Sequence, residues 1–299
     1  MKIYDVIIIG AGPAGISCAI QFTRYGIEFL IFEKKRIGGL LINANLIENY
    51  PGFPYGIKGR DIVKRLEKHL LTTGVKVEFS EVKECELEKD TFIVKTKNKE
   101  YFSKMVVLAT GTLPKKIKLK GLENTPKKRI LYEVYTISSI QGKTVTIIGG
   151  GDVAFDYALS LSRKNKVLIL NRSKRIKALP LLIQRVKKEN SIKYVENAIP
   201  YEVKFESEKI LFTYLHNNKL LKLETEFLLI ATGRKSNLEI LSKNIINNKN
   251  KLMKTGKLYM IGDVGRDTYR QVAISCGDGV LCAMNIYRRL KGENHREDI

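Results

Sequence analysis

The chain has 299 residues, which is long for a single core and makes two domains the natural expectation. Its apolar share of 44% is that of an ordinary globular protein, and no run approaches the ~18 uninterrupted apolar residues of a membrane span. The formal charge of +22 raises nucleic acid as a partner, but no nucleic-acid motif or interleaved aromatic platform accompanies the basic runs; a solvated surface or an acidic protein partner remains.

In chain order, Tyr4–Ile9 reads as a buried strand that runs into Gly10-x-Gly12-x-x-Gly15 and a helix over Ala14–Tyr25. A strand this early leaves no room for a removable leader, so a cytoplasmic location is expected. A second strand, Phe29–Phe32, ends at Glu33. Period-2 stretches follow at Val75–Phe79, Glu81–Leu87 and Thr91–Thr96, and then Met105–Leu108 runs into Ala109-Thr110-Gly111. The lysine-rich run beyond it (Lys115, Lys116, Lys118, Lys120, Lys127, Lys128, Arg129) contains Pro114, Gly121 and Pro126 and reads as a crossing between domains.

The pattern then repeats. Val145–Ile148 leads into Gly149-x-Gly151-x-x-Ala154, with a helix over Val153–Ser162 and a strand over Lys166–Leu170 that ends at Asn171-Arg172. β-rich stretches at Ile192–Tyr194, Glu202–Phe205 and Ile210–Tyr214 precede a closing strand, Glu226–Ile230, and Ala231-Thr232-Gly233. A return crossing is expected after Gly233. The tail holds a strand (Leu258–Ile261), a turn at Gly262-Asp263 and a helix over Gln271–Leu290, but no glycine fingerprint, so it should complete the first domain. Strands alternating with helices in this way imply an α/β protein of two Rossmann-like, three-layer nucleotide-binding domains, the first of them discontinuous.

Each glycine turn has the chemistry of a dinucleotide site: a tight turn, a close backbone approach to pyrophosphate and a helix N-terminus that favours anions. Glu33, 23 residues beyond Gly10, suits the adenosine ribose hydroxyls. The second copy has Asn171 and Arg172 at that place, with Arg175 and Lys177 behind them. An acid there would repel a 2′-phosphate and cations would pair with it, so NADPH is favoured, with NADH as the alternative.

The set Gly10–Gly15, Glu48-Asn49-Tyr50-Pro51-Gly52, Ala109–Gly111, Gly149–Ala154, Ala231–Gly233 and Gly262-Asp263 with Tyr269-Arg270-Gln271 resembles, in order and across nearly the whole chain, the thioredoxin-reductase-like flavoproteins. The resemblance implies an FAD domain over 1–114 and 237–299, an NAD(P)H domain over 115–236, and a homodimer. It implies FAD contacts at Gly10, Gly12, Pro13, Ala14, Gly15, Glu33, Lys34, Gly39, Leu40, Asn49, Val82, Ala109, Thr110 and Gly111. In the tail it implies Gly262 and Asp263 at the ribityl chain, and Arg270, Gln271 and Val272 by the flavin ring. For NAD(P)H it implies Gly149, Gly151, Asp152, Val153, Ala154, Asn171, Arg172, Lys177 and Gly233.

The chain departs from that family at its third redox station. A CxxC disulfide belongs just before the second fingerprint, and counting back from Gly149 its positions fall on Tyr132 and Tyr135, which cannot perform thiol–disulfide exchange. The acid that follows the pair there is replaced by Thr136. The four cysteines, Cys18, Cys85, Cys276 and Cys282, form no CxxC and no metal-ligand spacing, and they read as small buried hydrophobes. Leu131-Tyr132, Gly142–Val145, Gly149–Asp152 and Asp156–Leu159 look more like the ferredoxin/flavodoxin–NADP reductase branch, which lacks the disulfide, whereas Tyr269–Gln271 and Gly277-x-Gly279 look like thioredoxin reductases. The leading expectation is an FAD enzyme that exchanges hydride with NAD(P)H and passes electrons to ferredoxin or flavodoxin. An oxidase or diaphorase, a reductase of a partner's disulfide, and a flavin-binding redox sensor without turnover are the alternatives.

Overall fold

The structure, a computed structural model, describes residues 2–292. In chain order the first elements are β1 (Ile3–Ile9), α1 (Pro13–Tyr25), β2 (Phe29–Phe32), α2 (Gly59–Thr72), β3 (Val77–Glu78), β4 (Glu84–Glu88), β5 (Thr91–Lys95) and β6 (Glu100–Leu108). Next come β7 (Thr112–Pro114), β8 (Ile130–Leu131), β9 (Thr144–Ile148), α3 (Asp152–Ser162), β10 (Lys166–Leu170), α4 (Pro180–Lys187) and β11 (Ile192–Val195). Last are β12 (Ile199–Glu206), β13 (Lys209–His216), β14 (Lys219–Thr225), β15 (Phe227–Ile230), β16 (Arg234–Ser236), α5 (Lys243–Lys254), β17 (Leu258–Met260) and α6 (Val272–Leu290). The chain divides into two units: one holds Ile47–Leu113 with the segments before Asn43 and after Arg234, the other Pro114–Arg234 with Asn43–Leu46.

In the first unit β3, β2, β1, β6 and β17 run parallel in that order, and β5 and β4 extend the sheet antiparallel from β6. A strand apolar on both faces needs cover on both, and β1 shows where that cover lies. Val6 and Ile8 pack among Ile16 and Phe22 of α1, Leu70 of α2, and Ala283 and Ile286 of α6. Ile7 and Ile9 face the other way, onto Phe92 and Val94 of β5 and Ile245 and Leu252 of α5. Three layers result, and β17, from the tail, closes the parallel sheet beside β6 in register Leu258 with Val106.

The second unit repeats the scheme on a smaller scale. Its parallel sheet has the order β11-β10-β9-β15-β8, with Val145 and Ile147 packed on Phe155, Ala158 and Leu161 of α3. Ile148 faces the antiparallel sheet β12-β13-β14 through Val203, Phe212 and Tyr214. The hairpin turns there, Ser207-Glu208 and Asn217-Asn218, have positive φ at both residues, the twist that two-residue hairpins require.

The lysine-rich crossing packs into the second unit. From Pro114 onward it belongs to the second unit, where Leu119 is buried and the Val203 N–H donates to the Lys120 carbonyl at 2.9 Å. Gly121 makes that approach possible, because a Cβ there would stand 1.9 Å from the Val203 oxygen and φ is +80°. The lysines themselves stay exposed while Leu119 and Thr125 anchor the segment.

Candidate functional site

Each unit presents an open glycine turn at the C-terminal end of the central strand of its parallel sheet, β1 in the first and β9 in the second, and the two are built alike. In the first unit Gly10 has φ +110°, and a Cβ there would meet the Ala109 oxygen at 2.3 Å, so the turn is seated on the residue that follows β6. In the second unit Gly149 has φ +152°, and its Cβ would meet the Ala231 oxygen, which follows β15, at 2.5 Å. The third fingerprint position separates the copies. A Cβ on Gly15 would lie 1.9 Å from the Gly10 oxygen, so only glycine fits, whereas the second turn accommodates Ala154, fully buried.

Both turns fit a dinucleotide pyrophosphate. A Cβ on Gly12 or Gly151 would meet nothing within 4 Å, so open space lies over both helix N-termini. Neither N-terminus carries a side-chain cap, and the first-turn N–H groups of α1 and α3 can donate to an anion there.

Around the first turn the other expected residues converge. The Glu33 carboxylate accepts from the Ala11 N–H at 2.9 Å through one oxygen and from the Lys35 N–H at 2.9 Å through the other. A carboxylate has about four acceptor positions, so capacity for ribose hydroxyls remains. The Gly38 N–H donates to the Ala11 carbonyl at 2.7 Å, and Gly39 brings its backbone toward Gly12. Leu40 lies in the short 3-10 turn Gly39–Asn43, Lys34 is exposed, and Val82 is buried in the core. Thr110 Oγ1 donates to the Asn237 carbonyl at 2.7 Å, and Gly111 takes φ +64°.

The tail reaches the same turn. A Cβ on Gly262 would meet the Ala14 Cβ at 2.8 Å, and one on Gly279 would meet the Ala14 oxygen at 2.2 Å. Two glycines of the tail therefore pack against one residue in the first turn of α1. The Gly262 N–H donates to Asp278 Oδ2 at 3.1 Å, and Arg266 pairs with Asp278 through Nε at 3.0 Å and Nη2 at 2.6 Å. The Arg266 carbonyl accepts from Arg270 Nε at 3.0 Å and Nη2 at 2.7 Å. This chain of contacts holds the Gly262-Asp263 turn to Arg270, and motif reading missed Arg266 and Asp278 altogether. Asn49 Nδ2 donates to Gln271 Oε1 at 3.0 Å, which joins two expected residues 222 positions apart. Tyr269, just before Arg270, has φ +56°, a strained position for a non-glycine residue at the entry to Val272 and α6.

At the second turn, Asp152 Oδ1 accepts the Leu179 N–H at 2.7 Å, and the Lys177 N–H donates to the Gly150 carbonyl at 2.8 Å. The loop after β10 is thereby drawn over the glycine turn. Arg172, Arg175 and Lys177 are exposed on it, as is Val153 at the start of α3. Asn171 is different: it is 5% exposed and its amide points inward. Gly233, at φ +106°, follows β15.

No two cysteines are bonded. Cys18, Cys85 and Cys282 are buried, and burial beside Glu86 and Glu84 pushes the Cys85 thiol up to about 12. Burial also raises the Cys18 thiol well above its usual range, with Cys282 adding to the effect. Cys276, half-buried on α6, contacts Tyr50, whose hydroxyl is pushed up by burial and then by that thiol. Tyr132 is half-buried against the antiparallel sheet, and burial raises its hydroxyl too. Among the described residues no cluster of three or more metal-ligating side chains occurs, and no helix is long and apolar enough to cross a membrane.

The sequence profile described as pyridine nucleotide-disulphide oxidoreductase matches residues 4–279. The thioredoxin reductase of Bacillus subtilis (strain 168) is 29% identical over 298 residues, covering 95% of this chain and 94% of that protein. Among solved structures, a thioredoxin reductase of Lactococcus lactis has a TM-score of 0.86 at 26% identity over 97% of this chain and 99% of that one. A thioredoxin reductase of T. acidophilum has a TM-score of 0.85 at 28% identity, covering 97% and 100%.

Proposed function

Because the chain belongs to the pyridine nucleotide-disulphide oxidoreductase family, we propose that it takes hydride from NADPH and delivers electrons from its flavin directly to an acceptor, without an internal disulfide. It is an FAD-dependent NAD(P)H oxidoreductase of the thioredoxin-reductase type. FAD supplies the exchange between two-electron and one-electron chemistry; the chain supplies binding, orientation and electrostatics.

In this reading the first unit holds FAD. The α1 N-terminus and the Gly12 opening receive the pyrophosphate, and Glu33 takes the adenosine ribose. The Gly262-Asp263 turn, braced by Asp278, meets the ribityl chain. The N-terminus of α6, with Gln271 and Val272, would lie at the pyrimidine end of a bound flavin, where its dipole would favour negative charge. The second unit holds NADPH on the Gly149–Ala154 turn, with Arg172 and Lys177 at the 2′-phosphate. Little acid–base machinery is required, since orientation of the two rings carries most of the rate.

The observation that carries the direct exit is the state of the thiols. Three of the four are buried, none is in a disulfide, and tyrosines stand where the family's disulfide belongs. The acceptor we favour is a small acidic electron carrier of the ferredoxin or flavodoxin class, drawn to the exposed lysines of the second unit. A homodimer is the expected assembly. The likeness to thioredoxin reductases supports a second reading, in which a partner's disulfide meets the flavin. Anaerobic mixing with NADPH and then NADH, followed by addition of ferredoxin, flavodoxin, oxygen or a thioredoxin disulfide, separates them. Flavin bleaching by NADPH with re-oxidation by ferredoxin or flavodoxin supports the first reading, and re-oxidation by the disulfide alone supports the second. No bleaching by either nucleotide contradicts both.

A further inference from the structure

We infer that Asn171 is a positioning residue, not a nucleotide ligand, and that with Tyr194 it sets the preference of the second site for a 2′-phosphorylated dinucleotide. The inference rests on the reading of the second unit as the NADPH site and adds to it the device that organises its cations.

Four basic side chains, Arg172, Lys174, Arg175 and Lys177, are exposed on the loop that follows β10. Long cationic side chains on an untethered loop would present diffuse, well-screened charge. Here the Lys177 and Leu179 N–H groups tie down the far end of the loop, and one amide holds its near end from beneath. Asn171 Nδ2 donates one hydrogen to the Arg175 carbonyl at 3.1 Å and the other to Tyr194 Oη at 3.0 Å. Its main chain is held as well, since the Asn171 N–H donates to the Val195 carbonyl and the Ala198 N–H to the Asn171 carbonyl, both at 2.9 Å.

The amide is also wedged against the glycine turn. A Cβ on Gly150 would lie 2.5 Å from Asn171 Cγ, so the middle residue of Gly149-Gly150-Gly151 leaves the space this side chain fills. The Lys177 N–H then closes the loop onto the Gly150 carbonyl at 2.8 Å. This buried side chain thus acts with the Lys177 and Leu179 contacts to set the distance between the pyrophosphate turn and the cations at the end of β10, where this architecture places the adenosine ribose. An aspartate at 171 would have no hydrogens for the Arg175 carbonyl and would bring negative charge to the ribose, which favours the unphosphorylated nucleotide.

The test uses the full-length flavoprotein and two nicotinamide-free probes, 2′,5′-ADP and 5′-ADP, with direct binding by calorimetry. In the unmodified protein 2′,5′-ADP should bind the more tightly. Asn171→Ala should weaken 2′,5′-ADP on the order of 10-fold, as expected for loss of two part-buried hydrogen bonds that organise a charged site, and change 5′-ADP by less than about 3-fold. Tyr194→Phe keeps the ring and removes only the acceptor oxygen, so it should fold normally and move the ratio in the same direction by a smaller factor. A ratio unchanged in Tyr194→Phe and in Asn171→Ala overturns the proposal and leaves the NADPH reading standing. An unmodified protein that does not distinguish the two probes overturns the NADPH reading, and the proposal with it.

Discussion

Two glycines in α6, two residues apart, should respond to alanine with opposite signs. In a helix interior, Gly→Ala gains about 0.5–1 kcal/mol from backbone entropy at either position. At Gly277 the new methyl group meets nothing within 4 Å, so that gain is kept. At Gly279 the Cβ would sit 2.2 Å from the Ala14 oxygen, 2.9 Å from the Cys18 nitrogen and 3.0 Å from the Ser17 Cβ. These atoms belong to the first turns of α1 and cannot rotate away, so α6 would have to withdraw by roughly 1 Å from a core packed at crystal-like density. Overpacking of this kind costs about 1–3 kcal/mol, which outweighs the propensity gain. With about 2–4 °C per kcal/mol for a domain of this size, Gly279→Ala should lower Tm by several degrees while Gly277→Ala raises it slightly. Thermal melts of the flavin-loaded proteins make the comparison. Because Ala14 carries the displacement into the phosphate turn, Gly279→Ala should also be purified with less FAD. Equal melting temperatures and equal flavin content in the two variants would refute the packing argument.

Asp278→Asn keeps an acceptor for the Gly262 N–H but removes the charge that holds Arg266. Since both side chains are partly exposed, the loss should be about 1 kcal/mol or less in stability, read as faster FAD release in a dialysis assay, with Arg266→Met behaving alike. Thiol titration of the native protein should modify at most Cys276 quickly, with all four reacting only after denaturation; rapid modification of Cys85 would contradict its burial. The Cys85 thiol is raised from its ordinary value of 9.0 to about 12, so its contribution is complete below pH ~9 and is lost as pH rises toward 12, at up to ~1.4 kcal/mol per pH unit. Cys85→Ala should flatten that part of the alkaline decline in urea midpoint, and an identical decline would count against the assignment. Turnover with an acidic carrier protein should fall as salt rises and the Debye length shortens, whereas rates unchanged between low and high salt would remove the steering role of the lysines.

Much of this was legible because the glycine turns carry their own context. Phe29–Phe32 and Lys166–Leu170 emerge with the bounds expected of them, and the two Rossmann-like domains follow from the repeat. The illegible parts lack such punctuation. α5 is Lys- and Asn-rich, with Ile245 and Leu252 its buried residues, and its helix is set by the Ser242 cap and by docking of that pair on the first unit's core. β14 is almost wholly exposed, so no alternation marks it, and its turn is made by Asn217-Asn218 instead of a glycine. The lysine run reads as linker because its composition is that of a linker, yet the burial of Leu119 and the approach of Gly121 to Val203 hold it in place. At the first turn, motifs pointed to the Gly262-Asp263 turn and to Arg270 but not to the Arg266–Asp278 pair that joins them, because a contact between residues 12 apart on a turn and a helix has no sequence period. Asn171 was legible as a position; the direction its amide takes was not.

The central claim is that electrons leave from the flavin with no disulfide in between, and anaerobic reductive titration tests it most directly. The purified flavoprotein, titrated with dithionite, should bleach fully at one two-electron equivalent per FAD and gain no thiols. A requirement for two equivalents, with two new thiols per chain, would contradict it.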